Sequence, residues 1–172
     1  MKNIAIATAA LGLLAACAST PEGGATASAH LSPASGSKVQ GHINFTQVGP
    51  NRVRVSGEVT GHQPGMKGFH IHEKGDCSAP DAMSAGGHFN PAGKPHGDPA
   101  TPDHHGGDMP MLTADAAGNA TLEATIDTVT IGSGAGDIVG RAVVIHKDPD
   151  DFKTQPTGNS GARVACGVIA RS

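Results

Sequence analysis

The decapeptide GFHIHEKGDC, residues 68–77, sets His70 and His72 at alternate positions, with Phe69 and Ile71 in the other two. In an extended chain successive side chains point to opposite faces. Burying Phe69 and Ile71 would therefore put both imidazoles on the other face, about 7 Å apart at Cα from ~3.3 Å of rise per residue. Two rings at that spacing can converge on one small object such as a metal ion. More imidazoles follow: His88 in GGHFNP, His96 in GKPHGDP, His104 and His105 with Asp108 in HHGGD, and His146 at the end of GRAVVIH. Several neutral imidazoles held together pack poorly but suit a shared divalent ion. Imidazole with carboxylate favours zinc or copper over magnesium or calcium. Three His and one Asp make a closed tetrahedral zinc site, imidazoles alone a planar copper(II) site, and the chain holds ligands for both. Of the remaining histidines, His42 and His62 read as surface bystanders and His30 as solvated.

What must position these groups is a set of short strands. From residue 37 onward alternating apolar runs are broken by Gly, Pro, Asn and Asp: Ile43 and Phe45, Val53 and Val55, Leu122, Ala124 and Ile126, Val143 and Ile145, then Val164, Cys166 and Val168. GPNR (49–52) and DAAGN (115–119) read as hairpin turns. No segment carries a convincing helical period, so the expected class is an antiparallel β-sandwich or barrel. Residues 73–110 and 147–162 interrupt the rhythm as long loops, and loops of that length inside a compact domain are usually functional or disordered. A loop with little apolar content needs something to order it, and metal binding can supply that energy.

The N-terminus reads as an export signal over residues 1–16: a basic start at Lys2, an apolar run too short to span a bilayer comfortably, and LAAC ending at Cys17. LAAC resembles the lipobox of bacterial lipoproteins, which implies cleavage before Cys17 and lipidation of its thiol. Ala18 after it points to the outer membrane. Residues 17–36 are mostly Ala, Ser, Gly, Thr and Pro and are expected to be a flexible tether, leaving 37–172 as the folded domain. Loss of Lys2 takes the net charge from −3 to −4, and no basic stripe suggests nucleic acid. With Cys17 assigned to lipid, Cys77 and Cys166 remain, an even pair in an exported chain, which predicts a disulfide.

Together GFHIHEKGDC, GGHFNP, HHGGDMP, GRAVVIHKDPDD and GNSGARVACGVIA resemble the copper–zinc superoxide dismutases of the bacterial periplasm, in the family's order over about residues 39–172. The resemblance implies a Greek-key β-barrel or sandwich, immunoglobulin-like, with long metal-binding and electrostatic loops. It implies that His70, His72, His88 and His146 hold copper. It implies that His88 also binds zinc through its other nitrogen, with His96, His105 and Asp108. Asp150 matches the carboxylate that links copper-side and zinc-side histidines, Cys77 and Cys166 the family disulfide, and Arg163 the arginine beside copper.

The implied reaction converts two superoxide anions and two protons to dioxygen and hydrogen peroxide by Cu(II)/Cu(I) cycling, with zinc structural and His88 relaying a proton. Arg163 would guide the anion against the net negative charge, and Lys153 is a candidate helper. Beside these, His104 reads as a bystander or weak site, and Met109 and Met111 as loop packing rather than copper(I) handling. The expected location is the periplasm, held to the outer membrane by lipid on Cys17. Monomer and homodimer both stay open. The main rival is a non-enzymatic envelope protein that binds copper and zinc. A zinc hydrolase would want three ligands, an open position and a nearby base, and no HExxH is present.

Overall fold

The computed structural model describes residues 24–172; the expected signal segment, residues 1–16, and Cys17 lie outside the described residues. Among the described residues there are nine strands: β1 (Thr26–Pro33), β2 (Gln40–Gly49), β3 (Arg52–Thr60), β4 (Gly65–Lys67), β5 (Phe69–His72), β6 (Leu112–Ala114), β7 (Ala120–Ile126), β8 (Ala142–His146) and β9 (Arg163–Arg171). Seven form one antiparallel sheet in the order β5-β8-β9-β1-β2-β3-β7, and β4 pairs with β6. β4 and β5 are consecutive, separated only by Gly68, yet β4 pairs with β6 while β5 pairs with β8. Because β6 lies against β7, this single extended stretch brings the two sheet edges together. The result is an all-β Greek-key barrel, with the last strand beside the first.

The alternating runs bury as expected. Ile43, Phe45, Val53 and Val55 are fully buried and share one core with Phe69, Ile71, Val143, Ile145 and Ile169. GPNR closes the β2–β3 hairpin, with Asn51 at positive φ (53°). DAAGN joins β6 to β7, where the Asp115 carboxylate accepts the amides of Ala117 and Asn119. One face assignment differs. Val164 packs in the main core with Ala165 and Ile169, while Cys166 belongs to a second cluster and Val168 is exposed. A register shift between Ile145 and His146 in the β8–β9 ladder changes the alternation at that point.

The expected tether needs correction. Residues 26–33 form β1, an internal strand paired with both β2 and β9. Ala27, Ala29 and Leu31 alternate into the core, and the backbone ladder on both sides supplies what their small side chains do not. Alanine buries little area, so its alternation carries a weak hydropathy signal.

β8 is buried on both faces. Val143 and Ile145 enter the main core, whereas Ala142 and Val144 pack with Ala34, Ala82, Ala85, Cys77 and Cys166. The start of the long loop therefore lies over the outer face of β8 and β9, pinned by the Cys77–Cys166 disulfide. Further along, the loop is stitched to the edge of β5. Phe89 N–H donates to Ile71 O (2.8 Å), Gly107 N–H to Phe89 O (2.8 Å) and Ile71 N–H to Gly107 O (2.9 Å). An added Cβ at Gly107 would overlap the Ile71 carbonyl, so this close backbone approach requires glycine.

Candidate metal centre

Phe69 and Ile71 face the core, and His70 and His72 project to the other side with ring centroids 6.3 Å apart. The loop folded over that side buries both rings completely. Two isolated bridges, His70 to Asp108 and His72 to His88, carry the loop's donors to β5. His146, at the end of β8, adds a further ring, its centroid 4.9 Å from that of His70.

Two four-residue groups result, each with donor atoms within 4.8 Å of one another. One is His70, His72, His88 and His146; the other is His88, His96, His105 and Asp108. His88 belongs to both, and all seven side chains are buried. The groups have the same membership as the two ligand sets implied by the resemblance.

Hydrogen bonds decide which nitrogen of each ring faces its group. His72 Nδ1–H donates to Gly86 O (2.9 Å) and His146 Nδ1–H to Gly161 O (3.2 Å), which leaves both Nε2 atoms bare and 3.4 Å apart. His70 is turned the other way: Nε2–H donates to Asp150 Oδ2 (2.6 Å), leaving Nδ1 bare. Three buried ring nitrogens, His70 Nδ1, His88 Nε2 and His105 Nδ1, have no hydrogen-bond partner at all. Buried polar atoms are ordinarily paired, and orphaned imidazole nitrogens converging within a few ångströms suit a metal ion. The donor set fits copper and zinc, all imidazole on one side and three imidazoles with a carboxylate on the other.

Carboxylates order the second group. Asp108 Oδ1 lies 2.9 Å from His88 Nδ1, 3.0 Å from His96 Nδ1 and 3.6 Å from His105 Nδ1. Its Oδ2 accepts the amides of Gly97 (3.1 Å) and His105 (2.9 Å). Asp150 spans the two groups, since its Oδ1 accepts His96 Nε2–H (3.0 Å) while Oδ2 holds His70. Gly158 packs against this link, where a Cβ would overlap both Asp150 and His96.

Burial pushes His70 down to about 4 and His146 to about 3, and it lowers His72 and His105 as well. These rings are neutral at pH 7, the form that binds metal. Burial opposes charge at His96 too, yet its bonds to Asp108 and Asp150 raise it to about 9. The second group therefore stabilises a positive charge. Desolvation acts to raise Asp108 and Asp150, but their histidine partners hold both below the usual carboxylate range.

Arg163 is half-buried, with Nη1 donating to Ala82 O (2.8 Å) and Nη2 to Gly86 O (2.7 Å). With His146, Asp81, Met83, Thr157 and Gly161 it lines an open cavity of about 390 Å³. Burial lowers its pKa from the ordinary value, an effect that Asp81 opposes. Other sequence candidates fall elsewhere. His104 is buried but joins neither group, its Nδ1–H donating to His105 O (2.7 Å). Lys153 is exposed, Met109 is buried in the core, and Met111 lines a separate surface cavity.

Two supports escaped sequence reasoning. His62, read as a bystander, is buried, and its Nε2–H donates to the carbonyl of His146 (3.0 Å). Gln155 clamps His96 from both sides, accepting its N–H (2.9 Å) and donating to its O (2.8 Å). Both contacts reach backbone atoms far away in sequence, which no local spacing reveals.

The profile of the family described as copper/zinc superoxide dismutase matches residues 39–169. A solved structure reported as a crystal structure analysis of the clock protein EA4 is similar at 42% identity and a TM-score of 0.77. The match covers 84% of this chain and 93% of that one. With a profile spanning most of the chain and a buried donor set suited to both ions, the chain belongs to the copper/zinc superoxide dismutase family, whose metals are copper and zinc.

Proposed function

We propose that this protein is a superoxide dismutase, with copper held by His70, His72, His88 and His146 and zinc by His88, His96, His105 and Asp108. The observation that carries the proposal is the buried ring of His88, which belongs to both groups, with Nδ1 on Asp108 and Nε2 buried without a hydrogen-bond partner. Copper supplies the one-electron chemistry, cycling between Cu(II) and Cu(I), that no side chain here provides.

The protein's own groups have three tasks. Arg163 attracts and orients the anion. Two backbone carbonyls fix its guanidinium beside His146, and its other N–H groups remain for the substrate. His88 holds and returns a proton at Nε2, while its Nδ1 stays anchored on the Asp108 side so that the ring keeps its place. Gly86 O, Gly161 O and Asp150 fix which nitrogen of His72, His146 and His70 faces inward. The products are dioxygen and hydrogen peroxide.

We infer in addition that the chain is exported and lipidated at Cys17, placing the enzyme in the periplasm against the outer membrane. The support is the LAAC motif after an apolar run. The non-enzymatic alternative draws on the similar structure, which is named a clock protein. Arg163 at the cavity beside His146 has no evident use in such a protein. Metal-loaded protein should consume superoxide, and His146→Ala should abolish this while the fold persists. Tight retention of both metals without consumption would favour the alternative.

A further inference from the structure

The outer face of the sheet carries a second kind of histidine arrangement, well separated in register from the buried centre. His30 on β1 and His42 on β2 are direct cross-strand partners, and Glu58 on β3 is the direct partner of His42. Directly opposed residues in an antiparallel pair have Cβ atoms ~4.5–5.5 Å apart. The three side chains therefore form one row across three adjacent strands. All three are exposed, and the two imidazole centroids lie 6.5 Å apart. His42 Nε2 lies 2.9 Å from Asn44 Oδ1, which only accepts hydrogen bonds, so Nε2–H is the donor and Nδ1 is left bare. A ring that donates one N–H to an oxygen while its other nitrogen is free has the arrangement usual for metal-bound histidine. A shallow groove of about 380 Å³ beside the row adds the Glu123 carboxylate on β7. None of these residues belongs to either buried group, and their donor atoms are not gathered within 4.8 Å of one another as those groups' are, so ligation turns the exposed side chains of the row towards a common ion.

We propose that His30, His42 and Glu58 form a third, surface site for a borderline divalent cation such as zinc or copper(II). Two imidazoles and a carboxylate match those ions, and they leave positions open for water. Because the ligands are exposed on the sheet surface, the site exchanges its ion readily, unlike the buried pair. It is a binding site that acts independently of dismutation.

The test uses protein already loaded with copper and zinc, titrated with zinc chloride alone in a non-chelating buffer and followed calorimetrically. One further equivalent should bind in the micromolar range. His42→Ala and His30→Ala should each abolish it, and Glu58→Gln should weaken it about tenfold, from loss of one charged ligand. Superoxide consumption should stay unchanged in all three variants. No further equivalent in the parent protein, or one that survives His42→Ala, would overturn the site. Unchanged affinity in Glu58→Gln would overturn the carboxylate's place in it.

Discussion

Arg163 and His72 donate to the same carbonyl oxygen, that of Gly86, from Nη2 at 2.7 Å and Nδ1 at 2.9 Å. The cation that meets the incoming anion and a ring of the copper group are thus registered against one backbone atom. Gly86 belongs to the loop that Cys77 pins to β9. Anion guide, metal ligand and disulfide form one mechanical unit.

Replacing Arg163 with Glu should slow superoxide consumption at least tenfold, since a charge-lined cleft raises association rates by ~10–10³. The deficit should shrink as salt rises, because screening weakens steering. Rates measured across an ionic-strength series would show it. A loss that does not vary with salt would mean that Arg163 acts by holding Gly86 in place and not by its field.

Asp150→Asn keeps the side chain's size but withdraws a charged acceptor from both His70 and His96. Removing such a partner typically costs 10–100-fold in metal affinity. Competition with a zinc chelator should register a loss of that size. Unchanged zinc retention would show that Asp108 alone orders His96.

Cutting the Cys77–Cys166 link frees a segment with a sequence separation of 89 residues. On the chain-entropy view this removes up to ~4–5 kcal/mol. Denaturant unfolding of the metal-free Cys77→Ser, Cys166→Ser protein should show a lowered midpoint. Superoxide consumption should fall as well, because Gly86 loses its anchor.

The metal-free protein should be most stable near pH ~6.5. His70 and His146 are depressed in the folded state, to about 4 and about 3, mainly by burial. As pH falls below ~6.5 the unfolded chain takes up protons that these rings refuse, so stability is lost towards pH 3. His96 runs the other way: raised to about 9, it stabilises below ~6.5 and loses that contribution as pH rises through 9. Thermal midpoints across pH 4–10 measure both limbs, and a maximum below pH 5 would contradict the assignment.

How legible this was from sequence depended on the range of each contact. Alternation on β5 was readable because burial of Phe69 and Ile71 alone decides where His70 and His72 point. β1 was not, because Ala27 and Ala29 gain their place from the ladders on either side and not from their own hydrophobicity. The ligand groups were legible through a likeness across five motifs, whereas spacing alone left several pairings open. The roles of His62, Gln155 and the Gly86 carbonyl were invisible because each rests on a backbone atom brought close only by folding.

The shared ring of His88 is the most direct point of attack. Protein carrying copper in the His70 group and paramagnetic cobalt(II) in place of zinc should be examined by electron paramagnetic resonance. A single imidazolate between the two ions predicts magnetic coupling, with the copper signal strongly attenuated relative to the copper–zinc form. An undiminished, isolated copper(II) signal would mean that His88 does not join the two sites.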